Sequence, residues 1–269
     1  MAIYKENSGL IGSINGYCYY RLPNCNHTIV RKNHGKKKKE TLNSLKYEGS
    51  RKYQKEFNGC VEFGSMACGA IGDFNEISDY SLNPELIRMG SYLLELDTLS
   101  ENGKRYLLLS ANKNELCGFN FKRNITFDNV VNVNLESEMD MESLIFEVGI
   151  SPINPNYRIQ INRQFSVLRF VFVVGRLSDL KYNPELDTYE PVIKDLEYNT
   201  SRFDGPWFSK DSYLGQQIMR GQLPEIWKAE MTDHVNLVLS IAIEFGEYYY
   251  YDQDIKVLNF GYGKVLNVF

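Results

Sequence analysis

Apolar positions along this 269-residue chain follow a helical period first and an alternating period later. Leu42, Leu45, Tyr53, Phe57, Cys60, Gly64, Cys68 and Ile71 recur at near-helical spacing and predict a helix over 41–71, with Lys46, Arg51, Lys52 and Lys55 on the opposite face. Gly49, Gly59, Gly64 and Gly69 fall inside it, each about 1 kcal/mol less favourable there than alanine, which predicts close helix packing or a break near Gly59. A second helix is expected to start with Asn83 as cap and Pro84 at its first position, to carry Leu86, Met89, Leu93, Leu96 and Leu99, and to end near Thr98. Residues 104–117 read as a short helix or as irregular structure.

From about Gly118 the period becomes two. Leu144, Phe146, Val148 and Ile150 share one face of a predicted strand; Ile159, Ile161 and Phe165 mark another, and Leu237 to Phe245 a third. The run Val167–Val174 is apolar on both faces and predicts a central strand. Ile255–Phe260 and Lys264–Phe269 read as a terminal hairpin around Gly261-Tyr262-Gly263, and 212–230 as holding one short helix with Leu214, Ile218 and Leu223 apolar. At the other end, residues 8–32 form a glycine-punctuated β unit. Tyr17, Tyr19 and Arg21 lie on one face and Cys18, Tyr20 and Leu22 on the other, Pro23–Asn26 turn, and His27–Arg31 returns. The expected fold class is α+β: a β arm (1–40), a helical segment (41–117) and an antiparallel β-sandwich-like domain (118–269).

Abundant Tyr (19) and Phe (15) with only 8 Pro agree with β-rich structure. The longest apolar run, Phe170–Val174, is flanked by Arg169 and Arg176 and falls far short of the roughly 20 residues that span a bilayer. The first residues lack the basic start and apolar stretch of a secretory signal, so the expected location is the cytoplasm or an assembled particle, without membrane insertion. Five cysteines without such a signal predict free thiols. Cys18, Cys25, His27 and His34 cluster as C-x6-C-x-H-x6-H, which fits no common zinc pattern, and no metal or cofactor is expected.

Charge changes the picture most. Residues 1–60 hold twelve Lys/Arg against four Asp/Glu, while the remaining 209 hold 18 against 30. The basic charge peaks at Arg31, Lys32, Lys36, Lys37, Lys38 and Lys39 and continues through Arg51, Lys52 and Lys55. Such a segment requires water or an acidic partner, because like charges repel and are not buried unpaired.

Catalytic signatures are absent from the sequence: no phosphate-binding loop, no G-x-S-x-G, no H-E-x-x-H. Asp233-His234 reads as a turn and strand start before it reads as an oriented imidazole. Asp252-Gln253-Asp254 reads as a solvated hairpin tip. Glu136, Glu138, Asp140 and Glu142 would share one face if extended, but they read as a flexible acidic loop before they read as a calcium site.

Gly12-Ser13-Ile14-Asn15-Gly16, Tyr19-Tyr20-Arg21, Val30-Arg31-Lys32, Glu62-Phe63-Gly64, Gly118-Phe119-Asn120-Phe121 and Ile241–Phe245 occur in an order that resembles a family of uncharacterised Bacteroidota proteins. The resemblance implies a helical N-terminal part and a C-terminal β-sandwich, and no activity.

The expected function is therefore that of a non-enzymatic structural or assembly protein, such as a particle, fibre or mobile-element subunit. It would self-associate or dock on a neighbouring subunit through the basic arm, with Tyr17, Tyr19, Tyr20, Ile29 and Val30 as docking residues. Nucleic-acid binding through 31–55 is one alternative. A ligand- or carbohydrate-binding sandwich, supported by Trp207 and Tyr248–Tyr251, is the other.

Overall fold

The computed structural model describes residues 2–5, 9–21, 27–32, 43–161, 163–194, 196, 200–248 and 254–269. The fold is α+β, and the chain divides into two compact units, Met1–Arg51 and Lys52–Phe269.

The first unit is an antiparallel meander of β1 (Ala2–Lys5), β2 (Gly9–Ile14), β3 (Tyr17–Tyr20) and β4 (Ile29–Lys32), in that spatial order. β1 is an element the alternation in residues 8–32 did not signal. Asn15 and Gly16 both take positive φ (50° and 78°), the geometry that lets a two-residue hairpin follow the strand twist.

The second unit begins with helix α1 (Glu48–Ile71, whose first residues belong to the first unit) and helix α2 (Leu82–Leu96). α1 runs through Gly59 without a break. Gly64 lets α2 approach: a Cβ there would stand 2.7 Å from Ile87 Cγ1. The start of α2 differs from expectation. Ser81 is the N-cap, and Asn83 lies in the first turn with its side-chain oxygen buried and without a hydrogen-bond partner. Pro84 is tolerated inside that turn because its first amides have no intrahelical acceptor anyway. Residues 104–117 are irregular apart from one bridge, Leu107 to Leu180, and a short 3-10 turn at Lys113–Glu115.

The strands that follow are β5 (Leu135–Asp140), β6 (Ile145–Ile150), β7 (Val167–Ser178), β8 (Leu180–Asn183), β9 (Thr188–Pro191), β10 (Thr200–Asp204), β11 (Phe208–Ser209), β12 (Gln217–Gln222), β13 (Val235–Tyr248) and β14 (Ile255–Val268). β10, β7, β13 and β14 neighbour one another in that order, with β11 also on β7. β12, β6 and β5 form a second sheet, and β8 and β9 a hairpin.

Alternation places the layers. Phe170, Phe172, Leu237, Leu239, Ile241, Ile243 and Phe245 face Phe146, Val148 and Ile150 of the three-stranded sheet. Val171, Val173, Leu177, Val238 and Ala242 face Phe63, Met66, Ala67, Ala70 and Leu86 of the helices. The larger sheet is therefore sandwiched, and residues Val235–Gly246 of β13 are buried without interruption. α1 presses on β7 at Gly175, where a Cβ would lie 2.1 Å from the Ala70 carbonyl oxygen.

Three expectations are corrected. β14 is one strand through Gly261-Tyr262-Gly263, with Tyr262 opposite Ile243, because β13 is long enough to pair with all of it through two register shifts. Residues 212–230 hold β12 and then one short 3-10 helix (Glu225–Glu230), but Leu214, Ile218 and Leu223 lie outside that helix; Ile218 faces outward, 63 % exposed, opposite Gly149. Residues 159–165 form no strand among the described residues. The helical turn Pro155–Arg158 delivers the chain to a single bridge, Ile159 to Val131, and Ile159, Ile161 and Phe165 pack into the core from there.

Candidate functional site

The arm is a four-stranded sheet. Directly opposite pairs share a face, so Ile14, Tyr17 and Lys32 lie in one row across three strands, and Tyr19 and Val30 in the next. The other face carries Cys18 with Arg31 and Tyr20 with Ile29. No side chain described in these strands is buried; Ile14 and Tyr17 are each 43 % exposed and Val30 53 %. Arg31 and Lys32 are exposed on β4.

The structure distributes the remaining predicted cations. Lys36, Lys37, Lys38 and Lys39 lie outside the described residues, as do Cys25, His34 and the Pro23–Asn26 turn. The Arg51 guanidinium donates to the Ser44 carbonyl at 2.9 Å. Lys52 is exposed, and Lys55 is ion-paired to Asp187, which also accepts from the Tyr182 hydroxyl. Among the described residues, Cys18, Cys60, Cys68 and Cys117 are free thiols, and no three His, Cys, Asp or Glu side chains gather as a metal site.

A second cluster escaped the sequence reading. Asp179, fully buried at the β7–β8 corner, accepts from Ser110 N (3.0 Å), Ser110 Oγ (2.5 Å) and Asn236 Nδ2 (3.4 Å), and lies 2.9 Å from His234 Nδ1. His234 Nδ1 faces this carboxylate, and Nε2 faces Lys181 Nζ at 3.4 Å. The partner of His234 is therefore Asp179, 55 residues away, rather than the adjacent Asp233. The order of groups is not that of a nucleophilic relay. Ser110 bonds the carboxylate, whereas a relay needs the hydroxyl at the imidazole nitrogen remote from the acid. The arrangement stitches the 106–110 segment to the ends of β7 and β13.

Two further ion-pair groups are inward. Glu56 accepts from Arg105 at 2.8 and 2.7 Å and from Gly103 N at 2.7 Å. Glu244 joins Arg169 and Arg202, both of which also reach Asp204. Trp207 is half-buried under the Arg169 guanidinium, 4.7 Å from its ring centre, and Tyr248 is exposed, while Tyr249–Tyr251 lie outside the described residues.

The acidic stretch is a strand rather than a flexible loop. Glu136, Glu138 and Asp140 lie on the outward face of β5, and Glu142 falls in the following turn. Glu138 stands directly opposite Glu147 of β6, and Glu147 is ion-paired to Arg220 of β12 at 2.6 Å. Glu138, Asp140, Ser143, Ile145, Glu147 and Arg220 line a cleft of about 290 Å³. A cleft of about 350 Å³ elsewhere is lined by Glu76, Ile77, Glu244 and Phe260.

No helix among the described residues is long and apolar enough to cross a membrane. Comparison with protein-family models, with curated proteins and with solved structures finds no match to this chain.

Proposed function

We propose that this chain is a non-enzymatic structural or assembly protein that associates with further copies of itself through its basic N-terminal arm. The observation that carries this reading is the uncovered meander. Among its described side chains none is buried, and Ile14, Tyr17 and Val30 are open to water on one face. Such a sheet gains little from burial, and among the described residues β1 and β4 each have one strand neighbour, so association stabilises it. Charge supports a like-chain partner. Met1–Arg51 carries ten Lys/Arg against three Asp/Glu, and Lys52–Phe269 carries 20 against 31. The arm of one copy is thus complementary to the larger unit of the next.

Sedimentation of the full chain tests this. The average mass should rise with protein concentration at low salt, fall when salt screens the charges, and stay near the monomer when Lys36–Lys39 are all changed to Glu. A monomer at every concentration and salt would overturn the reading. One observation favours a second reading, nucleic-acid binding: Tyr17 and Lys32 are cross-strand partners on the exposed face, a base-stacking ring beside a phosphate-binding cation. A monomer that retards a single-stranded oligonucleotide would select it.

A further inference from the structure

Resting on that assembly reading, we propose that the acceptor for the arm is the open edge of β5 in a second copy. There β4 adds as a further strand and sets Lys32 against Glu136, Glu138 and Asp140, with Arg31 on the opposite face.

Both edges are available. Among the described residues β5 has one strand neighbour, β6, and β4 has one, β3. Each therefore keeps a row of backbone donors and acceptors that a strand from another chain satisfies. The two edges are opposite in charge. β4 ends in exposed Arg31 and Lys32, with the Lys36–Lys39 run four to seven residues further along the sequence. β5 alternates exposed Glu136, Glu138 and Asp140 with inward Leu135, Ser137 and Met139.

The acceptor face also sets two carboxylates directly opposite each other. Glu138 and Glu147 are direct cross-strand neighbours, a like-charge pair that costs stability. Arg220 answers Glu147 from the far strand, which leaves the β5 side of the row to be neutralised. An ammonium arriving along β5 would enter the cleft of about 290 Å³ between Glu138, Asp140 and Glu147.

Donor and acceptor are different surfaces, so the contact is heterologous. Each copy gives one arm and receives one, and the series either closes as a ring or continues as a fibre.

Reciprocal charge reversal in the full chain tests the pairing. Arg31→Glu/Lys32→Glu and Glu136→Lys/Glu138→Lys alter exposed side chains and should leave the circular dichroism and melting of the protein unchanged. Each variant alone should self-associate at least about tenfold more weakly than wild type, and an equimolar mixture should recover association, since each arm then meets a complementary edge. Amides of Leu135–Asp140 should gain hydrogen-exchange protection as wild-type concentration rises. If the arm reversal abolishes association while the β5 reversal does not, or if the mixture fails to recover, the β5 acceptor is wrong and assembly through the arm stands. If wild type never associates, both readings fall. Protection of β5 independent of concentration would also overturn the proposal.

Discussion

At Gly175 a single hydrogen stands where any other residue would carry carbon, and the Ala70 carbonyl of α1 occupies the space beyond it. Backbone cannot swing aside as a side-chain tip does, so Gly175→Ala should move the helix off the sheet. The expected cost is about 3 kcal/mol, read as a lower urea midpoint with an unchanged slope. A loss below about 0.5 kcal/mol would show that the helix yields freely at this point. Nothing in the local sequence announces this contact; a glycine between Val174 and Arg176 reads as a weak spot in a strand. The same holds for Asp179. Asp233 is adjacent to His234 in sequence, yet the two stand in the turn before β13, and the imidazole reaches Asp179 at the end of β7 instead. Residue-scale chemistry here depends on which strands lie together, and that pairing is not a local property.

Elements were more legible where one face is buried and the other wet. β6 alternates strictly, and the continuous apolar run of β7 reads correctly as interior. Legibility failed where pairing length decides the outcome. Glycine–aromatic–glycine suggests a turn, but β14 follows β13 to its end. The alternating carboxylates of β5 favour a flexible loop on sequence alone, because polarity does not distinguish an exposed strand face from solvated coil. The irregular segment after α2 is held by Glu56 of α1, through Arg105 and Gly103 N. Burial pushes the Glu56 carboxyl upward, but Arg105 and the Gly103 and Arg105 backbone together outweigh it and hold the pKa below the ordinary 4.5. The folded carboxylate thus resists protonation more than the unfolded one. Its contribution is complete above about pH 4.5 and is lost as pH falls through the lower folded value. Wild-type stability followed from pH 7 to pH 3 should show a decline that Glu56→Gln lacks, with the variant less stable than wild type at pH 7. Parallel curves would deny the pair this role.

Across the whole molecule, charge was the feature the sequence displayed most openly, and its division follows the compact units more closely than the change of period does. The helices before Gly118 and the strands after it share one core, since the larger sheet has a second face to cover. That sheet also has an order of completion. β7 and β13 are separated by more than fifty residues, and β14, which closes the free side of β13, is made last. A chain still on the ribosome with β13 just emerged carries twelve consecutive residues that the finished fold buries, on a strand with one edge unsatisfied. Synthesis therefore passes through a stage when the nascent protein is at its stickiest, and it ends only when residues 255–268 arrive. A chain stopped after Tyr248 is expected in the insoluble fraction and bound to chaperones, whereas the full chain is recovered in the supernatant; equal recovery of both would mean that β14 is dispensable to the sheet it completes.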